Sequence, residues 1–160
     1  MQWKPKITLW YDYLSGNDDE DMNEHNWGAF DTLFDTGHKF YGFMDFYTNG
    51  QGSGTGYFGL QDIAIKLVMK PRPGWTLKAD IHNFHTAESV SSNPDMMILQ
   101  GYRDLGDGLE VSPGSADSGT VKGTELGTEV DLTLVHSYNP NVKFVFGYSM
   151  YMAEALTHTF

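Results

Sequence analysis

Five stretches of this sequence alternate polar and apolar residues with a period of two, and that pattern restricts the chain more than any other feature. In Lys6–Ser15 the odd positions Ile7, Leu9, Tyr11 and Tyr13 are apolar or aromatic, and Lys6, Thr8 and Asp12 fall between them. Gln61–Lys70 sets Ile63, Ile65, Leu67 and Met69 against Asp62, Lys66 and Lys70, and Trp75–Thr86 sets Trp75, Leu77, Ala79 and Ile81 against Lys78, Asp80 and His82. Glu125–Tyr138 places Leu126, Val130, Leu132 and Leu134 opposite Glu125, Glu129, Asp131 and Thr133, and Val142–Met152 places Val142, Phe144, Phe146, Tyr148 and Met150 opposite Lys143, Gly147 and Ser149. Successive side chains of an extended strand point to opposite faces, so each stretch predicts a two-faced β-strand and the chain predicts an all-β, antiparallel fold.

The connections narrow the choice of β architecture. Arg72-Pro73-Gly74 and Asn139-Pro140-Asn141 are tight turns, whereas Gly16–Leu60 and Ala87–Thr124 are long and rich in Gly, Ser, Asp and Asn. Long loops without structure of their own are unusual in a compact water-soluble domain. Short turns on one rim and long loops on the other, joined by strands of about ten residues, suit an antiparallel transmembrane β-barrel with short periplasmic turns and long extracellular loops. Aromatic residues near strand ends, among them Tyr11, Tyr13, Trp75, Tyr138, Tyr148 and Tyr151, suit interfacial girdles.

Composition removes several function classes. The chain has no Cys, which excludes thiol catalysis and Cys-ligated metal. A net charge of −11, with only ten Lys and Arg widely spaced, argues against nucleic-acid binding. No window of roughly 18 apolar residues offers a spanning helix, so any membrane crossing must use strands. Six His residues are present, but none pairs in a metal-binding helical motif, and His82 and His85 fall on opposite faces of one strand. No Ser lies in a nucleophile-elbow context, so no enzyme activity is expected. Asp18, Asp19, Glu20, Asp21 and Glu24 form an acidic run that reads either as a Ca²⁺-binding loop or as a solvated loop repelling anions, and it lacks the spacing of an EF-hand. No other cofactor is expected.

The stretch AFDTLFDTGHKFYGFMDFY at Ala29–Tyr47 resembles the alginate-export family of outer-membrane porins. Leu9–Asp18 (LWYDYLSGND), Gly59–Ala87 (containing GLQDIAIKLVMKP and WTLKADIHNFHTA) and Leu126–Ser149 (LGTEVDLTLVHSYNPNVKFVFGYS) resemble it too. The order matches the carboxy-terminal part of such a domain. The resemblance implies a Gram-negative outer-membrane barrel that contacts lipid outside and passes a hydrophilic solute, such as the polysaccharide alginate, through a charged lumen. Residues 1–160 are then expected to be one barrel domain, incomplete by itself and continued by other strands or by envelope proteins. With the polar positions turned inward, the expected lumen residues are Asp12, Asp62, Lys66, Lys70, Lys78, Asp80, His82, Glu125, Glu129, Asp131 and Lys143. An alternative from another class is a structural or surface-interaction outer-membrane protein with a plugged lumen and partner-binding acidic loops. A pairing sum of 146 about the Arg72-Pro73-Gly74 turn further predicts Lys66 opposite Asp80 and Ala64 opposite His82.

Overall fold

In the computed structural model, residues 3–18, 27–30, 32, 40–47, 58–90 and 123–154 are described. They form one antiparallel sheet of five strands, β1 (Lys6–Leu14), β2 (Leu60–Met69), β3 (Trp75–Val90), β4 (Gly123–Asn139) and β5 (Val142–Ala153), in the spatial order β1-β2-β3-β4-β5. The fold of the described residues is therefore all-β, with each strand beside its sequence neighbour. The strand starts and ends lie close to those the alternation predicts, except that β3 and β4 run further at the long-loop end.

Turn chemistry fixes the register. The Trp75 amide donates to the Arg72 carbonyl at 3.1 Å, closing a turn with Pro73 at its second position and Gly74 at φ 78° at its third. Pro presets φ at the one position, and the other requires a residue free of a Cβ penalty. Across this turn Lys66 pairs with Asp80, Ala64 with His82 and Leu67 with Ala79, as the pairing sum predicts. At the second turn the Asn141 amide donates to Asn139 Oδ1 at 2.9 Å, and Asp131 pairs with Ser149 and Ser137 with Lys143.

The register defines two faces. One carries Ile7, Leu9, Tyr11, Ile63, Ile65, Ile81, Leu132, Phe144, Phe146, Tyr148 and Met150, all at least 40 % exposed. The other carries Asp12, Asp62, Ala64, Lys66, Asp80, His82, Phe84, Glu129 and Asp131. Burial is the inverse of that in a soluble sheet, since Asp62, His82, Glu129 and Asp131 are at most 2 % exposed while the apolar face is bare. The core of Leu14, Tyr41, Tyr47, Phe58, Leu60, Phe84 and Leu126 lies at the long-loop end.

One expected lumen residue is displaced. The ladder between β3 and β4 slips after the Phe84–Gly127 pair, so that His85 pairs with Glu125 and Leu126 is the extra residue of a bulge. Leu126 is thereby driven fully into the core, and Glu125 stands exposed beside His85, on the side away from Phe84 and His82. Tyr151 likewise turns to the polar face and does not join an outward girdle.

Candidate functional site

The polar face is crossed by residues 40–47, which are hydrogen-bonded to four of the five strands and packed on the fifth. Tyr41 Oη donates to Asp12 Oδ2 on β1 at 3.0 Å, and Lys66 Nζ on β2 donates to the Phe40 carbonyl at 3.4 Å. In the middle, the amides of Phe43 and Met44 donate to Asp131 Oδ2 and Glu129 Oε1 on β4 at 3.2 and 2.9 Å. At the far end the Tyr151 hydroxyl on β5 donates to the Leu126 carbonyl at 2.9 Å, which leaves it to accept from the Tyr47 hydroxyl. Burial, followed by that hydroxyl contact, raises the Tyr47 phenol well above its ordinary value, so it remains a donor. Its ring packs on Phe84 at 4.8 Å between centroids.

This segment acts as a strap because its centre is fastened by charge-assisted bonds to carboxylates and its ends by aromatic packing. Gly42 permits the close approach. It sits at φ 85°, and a Cβ there would lie 2.5 Å from Glu129 Oε1. Gly42→Ala is therefore expected to cost about 1–2 kcal/mol in backbone conformation alone, with the carboxylate clash added. Chymotrypsin cleavage after Tyr41, Phe43 or Phe46 should accelerate in that variant, and an unchanged cleavage rate would show that the strap does not depend on Gly42.

Beneath the strap, charged groups form rows across the strands. The upper row joins Trp10, Ala64, His82, Glu129 and Tyr151, and the row toward the short turns joins Thr8, Lys66, Asp80, Asp131 and Ser149. His82 Nδ1 lies 2.8 Å from Asp62 Oδ2, and both residues are buried. Ser149 Oγ donates to Asp131 Oδ1. Lys66 stands opposite Asp80 as expected, although its Nζ reaches over the Trp10 ring at 5.3 Å as well as to the strap. Among the described residues, the buried Asp62 Oδ1 and Glu129 Oε2 have no hydrogen-bond partner.

Of the expected lumen residues, Asp12, Asp62, Lys66, Lys78, Asp80, His82, Glu129, Asp131 and Lys143 share this face by register. Lys70 lies just past the end of β2, exposed at the short-turn rim. Glu125 is the exception noted above. Sequence reading did not anticipate Tyr41, Gly42, Phe43, Met44, Tyr47 or Tyr151 as parts of the site. The density of aromatics around Gly42, FYGFMDFY, is the signal that marks an anchored loop. Of the acidic run, Asp18 is exposed, whereas Asp19, Glu20, Asp21 and Glu24 lie outside the described residues. Among the described residues no group of three or more His, Asp or Glu is arranged to hold a metal ion. No family model, curated protein or solved structure matches the chain.

Proposed function

We propose that this chain is a segment of a Gram-negative outer-membrane β-barrel of the alginate-export type, a porin or exporter that conducts a hydrophilic solute and catalyses nothing. The observation that carries the reading is the inverted sheet. Five adjacent strands present a continuous apolar face whose large side chains are exposed, while Asp62, His82, Glu129 and Asp131 are buried on the other face. A soluble sheet would hide Ile63, Ile65 and Ile81 and show Asp62 and Glu129 to water; exposed apolar patches of this breadth fit a lipid surface. Among the described residues the outer edges of β1 and β5 have no strand beside them, and a membrane barrel would need strands there, because open backbone in hydrocarbon costs several kcal/mol per group. In a closed barrel the polar face becomes the solute path, and the strap narrows it.

The strap also favours a second reading, a barrel plugged at rest whose acidic loops bind a partner. Planar-bilayer conductance separates the two, since a plugged barrel passes no steady current. For the conducting barrel, the carboxylates Asp12, Asp62, Asp80, Glu129 and Asp131 accompany Lys6, Lys66, Lys78 and Lys143 on one face, and the long connections add more acidic than basic residues to the sequence. Such a mixed lining predicts cation selectivity or a weak anion preference. Reversal potentials in a salt gradient test this, and a strong anion preference would overturn it.

A further inference from the structure

Charge is sorted along the strands, and the sorting has a direction. Residues 3–6, 68–78 and 134–145 make up the short-turn end of the sheet, and they contain Lys4, Lys6, Lys70, Arg72, Lys78 and Lys143 but no Asp or Glu. All six cations are exposed. The ends are held together by backbone: the Lys70 amide donates to the Trp3 carbonyl at 3.1 Å, and the Ser137 amide to the Gly74 carbonyl at 2.7 Å. At the opposite end the described residues include Asp18, Glu88, Glu125 and Glu154 and no Lys or Arg. Ten residues of β2 separate the two ends, a rise of roughly 30 Å and several Debye lengths at physiological salt, so the acidic end does not cancel the field of the basic end.

Aromatic side chains accompany the cations. The Arg72 guanidinium lies 5.0 Å from the centroid of Trp75, whose ring stacks on His136 at 4.1 Å, and His136 stacks in turn on Phe144 at 6.5 Å. Trp3 and Tyr138 are 54 % and 68 % exposed at the same rim. Trp75, His136 and Phe144 belong to the apolar face, so Arg72 lies over the edge of that face and not over the polar one. Amphipathic rings beside exposed Lys and Arg match the boundary between acyl chains and headgroups, with the rings at the ester level and the cations reaching the phosphates.

We infer that the short-turn rim is a docking surface for anionic phospholipid headgroups, which seat this end of the chain in a phosphate-rich leaflet. The inference rests on the membrane reading above and adds the class of headgroup that this rim binds and the residues that bind it. Arg72 supplies a fork that matches phosphate oxygens, while Lys4 and Lys70 supply point charges on flexible stems. Each Lys or Arg at an anionic surface strengthens association roughly fivefold at low salt.

The test is association of the full chain with phosphatidylcholine vesicles prepared with and without phosphatidylglycerol. Heat-modifiable migration on detergent gels shows which molecules have folded. The wild type is expected to favour the anionic vesicles. A Lys4→Gln, Lys70→Gln, Arg72→Gln variant should lose that preference by on the order of tenfold to a hundredfold, whereas Asp18→Asn at the far end should keep it. Added salt should erase the preference of the wild type. Folding into both vesicle types without preference, and without effect of the triple substitution, would overturn the inference while leaving the membrane reading intact. A triple variant with altered reversal potential but unchanged lipid preference would assign these cations to a soluble anion and also overturn it. Failure of the wild type to enter either vesicle would remove the membrane reading and the inference together.

Discussion

Arginine at position 65 is expected to weaken insertion into bilayers by about 2–4 kcal/mol, whereas arginine at position 145 should change it by less than about 1 kcal/mol. The two sites have similar exposure, 52 % for Ile65 and 63 % for Val145, so in water both substitutions would be tolerated. They differ in face. Ile65 pairs with Leu9 and Ile81 on the apolar side, and Val145 pairs with Val135, in step with Thr133 and Asp131 on the polar side. Only a solvent that distinguishes the faces can separate the two outcomes, and hydrocarbon does so because it cannot solvate a guanidinium. Alternation alone offers Ala64 as the polar-side comparison, but Ala64 is 2 % exposed, and Arg there would overpack whatever lay outside the sheet. Equilibrium folding into liposomes across a urea series measures both variants. Equal losses at Ile65 and Val145 would refute the face assignment.

The strands and the register of the hairpin about Arg72-Pro73-Gly74 were legible because each depends on information two residues long. Period two assigns the faces, and the Pro-Gly and Asn-Pro pairs place the turns from which the ladder is counted. Parity fails where a strand gains a residue. The bulge at Leu126 moves Glu125 to the face of His85, and only Gly127 in an otherwise regular strand marks the site in advance. Residues 40–47 were illegible for another reason. They have no period, and their place is set by contacts 26 to 104 positions distant in sequence, from Phe40 with Lys66 to Tyr47 with Tyr151. The consequence for the charges was hidden as well. Asp62, His82, Glu129 and Asp131 read as water-lined positions in the sequence, yet the fold buries them at 2 % exposure or less. Burial of a strand's polar side is not a property of the strand itself.

Loss of the His82 imidazole is expected to be among the most damaging single changes to the polar face. His82 and Asp62 are 1 % and 0 % exposed, joined by one contact of 2.8 Å between Nδ1 and Oδ2. Among the described residues, Asp62 Oδ1 has no hydrogen-bond partner even in the intact protein. Replacing His82 with Ala therefore leaves a buried carboxyl without any partner, and opens a void where the imidazole stacks on Phe84 at 5.5 Å and 15°. Breaking a buried pair from one side costs about 3–5 kcal/mol, because the abandoned charge keeps its desolvation penalty. Removing both partners behaves differently. In the double variant Asp62→Leu, His82→Phe the stack on Phe84 persists and no charge remains to be solvated, so stability should return to within about 1 kcal/mol of the parent or exceed it. The coupling between the two positions should thus be large and of the sign that favours the double change. Urea unfolding in liposomes of the parent, Asp62→Leu, His82→Phe and the double variant closes this cycle. Additive losses at Asp62 and His82 would mean that the two groups do not hold one another, and that the carboxyl finds another partner when the ring is removed.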